Sequence, residues 1–273
     1  MSSHTPAGGF RTGIGASDTD SITLLGHDLA SELLGKVSFG ELAYWLIANR
    51  RPTEGQRAMF EAVLVALADH GFTPTAIASR VTLLSAPESI QGALAAGLLG
   101  GGSRFLGVTE DAAAFLDAVI AGLDARPADD ASWDVVAREA VAAERSAGRF
   151  VPGLGHPVHK QGDPRTPVLI GMAQDTGQYG SHLALFEAVG RVHAEVLGRT
   201  LPLNGAGVCG AVLADIGIAL GVIRGVALLA RCAGLLGHIA EEQRDPIGMD
   251  IYATVDRNTD YQPSSASITA THP

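Results

Sequence analysis

The sequence predicts a mostly α-helical protein, and three observations carry that reading. Of its 273 residues, 47% are hydrophobic but only 5% aromatic, with Ala, Leu and Val filling most apolar positions. That composition suits closely packed helices, whereas strands favour aromatic and β-branched side chains. Apolar residues recur at helical spacing along most of the chain, and neither an alternating strand–helix pattern nor a fixed-period repeat interrupts them.

Taken in order, residues 1–20 read as mobile and Ser21–Leu25 as a short strand, with a turn or helix entrance at Gly26-His27-Asp28. Phe39–Asn49 has helical spacing at Phe39, Leu42 and Leu46, and Arg50-Arg51-Pro52 stops it. Thr53–Ala68 is the next helix. Thr53 can cap it, apolar residues recur at Met59, Phe60, Val63, Leu64 and Leu67, and Gly71 suits the left-handed position beyond its end. Thr75–Ser85 and Glu88–Leu99 follow, then a glycine-rich turn, Gly97–Arg104. Thr109–Leu123 and Ser132–Ala147 flank a polar link, and Pro167–Ala173 and Ser181–Leu197 are further helices. Asn204–Gly210 reads as a second glycine-rich turn before helices at Ala211–Leu220 and Ile223–Gln243. The tail from Thr254 is polar and reads as loosely held.

A formal net charge of −10 argues against nucleic-acid binding, which needs a basic face. Met1–Asp20 has no apolar run resembling a signal. Cys209 and Cys232 have neither metal-ligand spacing nor the look of a disulfide scaffold, so a reducing, cytoplasmic setting is expected. The apolar run Val208–Leu229 contains Asp215 and Arg224. Both are costly at mid-bilayer, so a buried helix or helix pair is expected there, with no membrane partner.

The chemistry concentrates between Gly153 and Arg165: two histidines, a lysine, an aspartate and an arginine among three glycines and two prolines. Gly and Pro place these side chains on a loop or at a helix entrance. His156 can donate, accept or titrate near neutrality. Lys160 and Arg165 can hold anionic oxygens, and Asp163 can orient Arg165. A solvated loop is the plainer alternative. His156 and His159 lack a third ligand in sequence and have Pro157 between them, so no metal is expected. Gly205–Gly210 fits G-x-G-x-x-G, but no strand precedes it and no acidic residue follows about 20 positions on, as a dinucleotide fold requires. Gly100-Gly101-Gly102-Ser103-Arg104 is either an anion cradle or a flexible connection. His70, at a helix end, is compatible with simple dipole capping. Arg231, on an otherwise apolar helix, must either pair, with Asp215 as candidate, or meet an anion.

Together these segments resemble the citrate synthase family. The run from His156 to Arg165 is similar to its histidine loop, with Asp163-Pro164-Arg165 at the family's spacing. Ala68-Asp69-His70-Gly71 resembles its upstream helix end, and Ala230-Arg231 through His238 its late helix. The glycine turn Gly97–Gly107 and Asp245–Tyr252 are closer to a branch, the citryl-CoA lyase module of ATP-citrate lyase.

The resemblance implies an all-α fold and a homodimer. Its large domain would span 21–103 plus 204–253, with a small domain inserted at 104–203. It implies a coenzyme A thioester as substrate and no covalently bound cofactor. His156 would contact the substrate's hydroxyl or carbonyl oxygen and His70 another oxygen. Arg165 and Arg231 would clamp carboxylates, Asn204 and Arg104 would assist, and Lys160, Gly100, Gly101, Gly102 and Gly205 would lie near CoA.

Two departures stand out. Gly100 is at or next to the place of the citrate synthase histidine that polarises the thioester, as in the lyase branch. Ala206 stands where the family's Asn-x-Asp has its proton-exchanging aspartate. The expected activity is cleavage of a 3-hydroxyacyl-CoA to a short acyl-CoA and a 2-oxo acid such as oxaloacetate. His156 would be the base, with backbone amides of the two glycine turns stabilising the enolate. The alternative is a weak or silent homologue that binds CoA esters or a partner subunit.

Overall fold

A computed structural model of the chain describes residues 10–263. Those described residues form an all-α protein with one short N-terminal meander. The strands β1 (Gly15–Ser17), β2 (Ile22–Leu24) and β3 (His27–Asp28) pair antiparallel, with Gly15 opposite Leu24 and Leu24 opposite His27. Part of the segment expected to be mobile is therefore ordered. Asp18 closes the first turn by accepting from the amides of Asp20 (2.9 Å) and Ser21 (2.7 Å). Leu25 and Gly26 both have positive φ, as the tightest hairpin turns require. The remainder of that segment, residues 1–9, and residues 264–273 of the tail lie outside the described residues.

A π-helical turn, Leu29–Leu33, leads into eleven α-helices. They are α1 (Phe39–Ala48), α2 (Glu54–Ala68), α3 (Pro74–Ser85), α4 (Ile90–Leu99), α5 (Val108–Ala121) and α6 (Asp130–Ser146). After them come α7 (Arg165–Asp175), α8 (Ser181–Leu197), α9 (Gly205–Asp215), α10 (Leu220–Arg244) and α11 (Gly248–Arg257). Short polar residues start several of them, Ser38 at α1, Ser89 at α4, Asp129 at α6 and Asn204 at α9 among them. Thr53 and Gln56 form a reciprocal box at α2, each backbone amide donating to the other's side chain. Thr73 caps α3 with Pro74 at the first helical position.

Three elements differ from expectation. Helix α7 begins at Arg165 itself. The glycine run Gly205–Gly210 is the first half of α9 rather than a turn. Part of the supposed loose tail, up to Arg257, belongs to α11. At α9 the glycines answer to packing. A Cβ on Gly207 would lie 2.6 Å from the Gly153 Cα, and one on Gly210 would run into the Thr109 carbonyl of α5. Close approach of backbones outweighed the low helix propensity of glycine.

The chain divides into two compact units: residues up to Leu67 with Leu106–Ala227, and Ala68–Phe105 with Leu228 onward. In the first unit the end of α9 is the hub. The Ile216 carbonyl accepts from Tyr44 Oη (2.7 Å), Arg50 Nη2 (2.9 Å) and Gln56 Nε2 (3.3 Å). The buried Asp215 carboxylate accepts from the amides of Gly180, His182 and Leu183, closing the start of α8. In the second unit Leu83, Ala93 and Ile239 form a small apolar core. Helix α10 is long and apolar enough, by length and composition, to cross a membrane. It buries Ile223, Val226 and Ala227 in the first unit and Ala230, Leu235 and Ile239 in the second. The apolar run Val208–Leu229 is a helix pair, broken between Asp215 and Leu220, where Gly217 has positive φ.

Two glycine substitutions are expected to act with opposite signs in urea unfolding. Gly210→Ala destabilises by about 2 kcal/mol through overpacking. Gly171→Ala, on α7 with no atom within 4 Å of the added methyl, stabilises by roughly 0.5–1 kcal/mol through helix propensity.

Candidate active site

In the first unit, Gly153–Gly155 lies against Pro202–Asn204. Leu154 and Leu203 form an isolated antiparallel bridge, Gly155 N donates to Pro202 O (2.7 Å), and Asn204 N donates to Gly153 O (2.9 Å). Gly153 is required twice over: its φ is +86°, and a Cβ would meet the Phe186 ring at 2.7 Å. Asn204, buried, caps α9 by accepting from Gly207 N (2.8 Å) and donates from Nδ2 to Gly155 O (2.8 Å).

The loop then presents His156, whose Nδ1 accepts from the backbone amides of Val158 (3.1 Å) and His159 (3.0 Å). A neutral ring so engaged carries its proton on Nε2. In that tautomer Nε2 is the donor atom of the ring. Acting as a base at Nε2 requires the other tautomer, in which Nδ1 carries the proton. The His156 and His159 rings stack with centroids 4.5 Å apart.

Asp163, 3% exposed, is the anchor of the loop. Its carboxylate accepts from Arg165 Nε (2.9 Å), Arg165 Nη2 (2.8 Å), Arg165 N (3.1 Å) and Gly205 N (2.7 Å). Burial opposes its charge, but the guanidinium and the two amides prevail and hold the carboxyl well below the usual carboxylate range. Arg165 Nη1 donates to Ala66 O (3.0 Å), and its guanidinium lies where any Cβ on Gly205 would go. Gly205 is thus a glycine because an arginine covers it. Ala206, half-buried, is the second residue of α9.

Beside this loop is a cleft of about 760 Å³ lined by Lys160–Asp163, the start of α7, one face of α8 and Thr200–Leu203. Lys160 is exposed at its rim. His193, buried on its wall, has Nδ1 at 2.9 Å from Gly190 O and accepts at Nε2 from Leu201 N (2.8 Å), so it braces the cleft.

In the second unit, His70 is half-buried just past the end of α2. Asp69 accepts from Gly71 N (2.7 Å) and from His238 Nε2 (2.9 Å). Burial raises the Asp69 carboxyl, and these donors more than offset it, leaving it lowered. Arg231, 5% exposed, donates from Nη1 to Thr73 Oγ1 (3.3 Å), while its suggested partner Asp215 serves the start of α8. Gly100 ends α4. The amides of Gly101 and Gly102 donate to the carbonyls of Leu98 and Gly100, and Arg104 is exposed in the same turn. Of the amides expected as enolate donors, those of Gly101, Gly102 and Gly207 are engaged within their own segments, and that of Gly205 is engaged by Asp163.

Sequence reasoning overlooked Arg80, 1% exposed, which donates to His238 Nδ1 (3.2 Å) and Glu242 (2.9 Å). It also overlooked the role of Gly234. The spacing Arg231–Gly234–His238 on one helix face was the available signal.

The sequence profile described as citrate synthase, C-terminal domain, matches residues 26–249. The chain belongs to this family. Among solved structures it is similar to citryl-CoA lyase from Hydrogenobacter thermophilus: 29% identity, 93% of this chain and 95% of that one, TM-score 0.81. ATP citrate lyase from Methanothrix soehngenii, in complex with citrate and coenzyme A, shares the fold at 24% identity and TM-score 0.77, over 96% of this chain and 43% of that one. Citrate synthase from Deinococcus radiodurans is 27% identical over 81% of this chain. The chain spans 56% of that protein, and 22% of a probable ATP-citrate synthase from Caenorhabditis elegans, which is 24% identical over 86% of this chain.

Asp163→Asn is expected to lower stability by about 3 kcal/mol at neutral pH by leaving Arg165 without its counter-ion. The Asp163 pKa is depressed in the fold. Its contribution is therefore full above the unfolded value of about 4 and disappears as pH falls through the folded value. Urea unfolding across a pH series will show the gap between wild type and variant narrowing in acid.

Proposed function

We propose that this citrate synthase family member is a carbon–carbon lyase of the citryl-CoA type. It would cleave a 3-hydroxyacyl-CoA to a short acyl-CoA and a 2-oxo acid such as oxaloacetate. The observation that carries the reading is the likeness, along nearly the whole of both chains, to a citryl-CoA lyase. The retention of His156, Arg165 and Arg231 supports it.

In this reading Arg165 and Arg231 hold carboxylates, and Asn204 and Arg104 assist. His156 Nε2–H binds the oxygen on the carbon that becomes the ketone. The hydroxyl proton passes to His70, the carbon–carbon bond pair moves into the thioester enolate, and the enolate takes a proton back. Ala206 cannot supply that proton, so water does; lacking a general acid costs about 10²–10⁴-fold in rate. CoA is held by Lys160, beside the cleft, and by Gly205 and Gly100–Gly102. An inserted domain of residues 104–203, a homodimer and a cytoplasmic setting complete the proposal. Ala206 itself favours a second reading, a silent member that keeps CoA-ester binding.

Incubation with citryl-CoA, malyl-CoA and citramalyl-CoA, assayed for 2-oxo acid, tests the choice. The expected result is turnover of at least one ester. It falls by about 100-fold or more in His156→Ala and rises on citryl-CoA in Ala206→Asp. No turnover by either wild type or Ala206→Asp, with CoA ester still bound, establishes the silent reading instead.

A further inference from the structure

One face of α10 in the second unit receives the segment that carries His70. Gly234 makes the fit possible, since a Cβ there would collide with the Ala68 carbonyl and lie 3.3 Å from the Asp69 Cβ. One turn further along α10, His238 takes hold of Asp69 (2.9 Å), and one turn back Arg231 takes hold of Thr73 (3.3 Å). Residues 68–73 are therefore gripped on both sides of His70.

The polarity of the His238 contact is fixed. Arg80 Nε can only donate, so the His238 Nδ1 it meets at 3.2 Å is an acceptor. The ring proton then sits on Nε2 and is given to Asp69 Oδ1. Arg80 cannot turn away. It is buried, bonded to Glu242 and Glu241, and lies 5.1 Å over the Phe72 ring. Glu242 in turn accepts from the amides of Ile247 (3.0 Å) and Gly248 (2.7 Å) at the start of α11. The other Asp69 oxygen accepts from Gly71 N (2.7 Å), where φ is +71°, so this carboxylate shapes the backbone on the far side of His70.

We propose that His238 is a positioning residue: the directed chain Arg80→His238→Asp69, seated against Gly234, sets the backbone from which His70 projects. This rests on the catalytic role assigned to His70 above. It assigns to a histidine remote from the reacting atoms an effect on rate rather than on substrate affinity, because small misplacement of a catalytic group is costly.

The test compares His238→Leu, which removes both bonds, with His238→Gln, whose amide can accept from Arg80 and donate to Asp69. Both are made in the full chain. Two readouts are taken: steady-state kinetics on the turned-over ester, and the imidazole ¹⁵N signals of His70 in histidine-labelled protein without ligand. His238→Leu should lower kcat by about 10- to 100-fold, with KM within about two-fold, and shift or broaden the His70 signals. His238→Gln should restore both. Wild-type His70 signals in folded His238→Leu, or a Gln variant as impaired as Leu, overturns the proposal. If the Leu variant does not fold, Asp69→Asn is read in the same two ways. If wild type turns over no ester, the lyase reading falls while the His70 signals still decide the positioning claim.

Discussion

The Asp163–Arg165 pair is the interaction on which the first unit's chemistry depends. A single buried carboxylate holds the guanidinium through two bonds, the Arg165 amide through a third and the first amide of α9 through a fourth. Histidine loop, arginine and glycine helix start are thereby fixed to one another. The arrangement explains the composition around it. Gly205 gives up its side chain so that Arg165 can lie over the helix start. Gly153 and Gly207 give up theirs so that loop and helix touch. Replacing any one of these residues is expected to misplace the others, because the buried carboxylate serves them all at once.

The second set of residues is built differently. One face of a long helix organises it, through an arginine, a glycine and a histidine placed at whole turns. The polar groups are again committed. His238 has a defined tautomer and Asp69 two defined donors. Arg80, Glu241 and Glu242 tie the same face to α3 and the start of α11. Both sets fix their side chains through buried, hydrogen-bonded neighbours, the usual way rigid placement is obtained in active sites.

Much of this was legible in the sequence. The helices followed from apolar spacing and capping residues, and Ser181–Leu197 was bounded to the residue. The Asp163–Arg165 pairing was readable from their separation of two. What was missed has physical causes. The run from Gly205 reads as a turn because glycine disfavours helix locally. Only the approach of Thr109, Gly153 and Phe186 from distant segments makes glycine the residue that fits. Asp18 closed a turn that composition alone makes look mobile. Residue type alone suggests a base at His156, and the two backbone amides that decide which nitrogen of the neutral ring holds the proton are not visible in sequence. Arg80 went unremarked because its partners are some 160 residues away in the chain.

The central claim is that Asp163 and the Ala66 carbonyl hold the Arg165 guanidinium in place before any ligand arrives. The direct measurement is the ¹H–¹⁵N spectrum of the arginine Nε–H groups in the ligand-free protein at neutral pH. The account predicts a resolved Arg165 Nε–H, shifted from the free-arginine position and slow to exchange with water, together with a protected Gly205 amide. An Arg165 Nε–H that exchanges as fast as a solvated arginine, beside an unprotected Gly205, would contradict it.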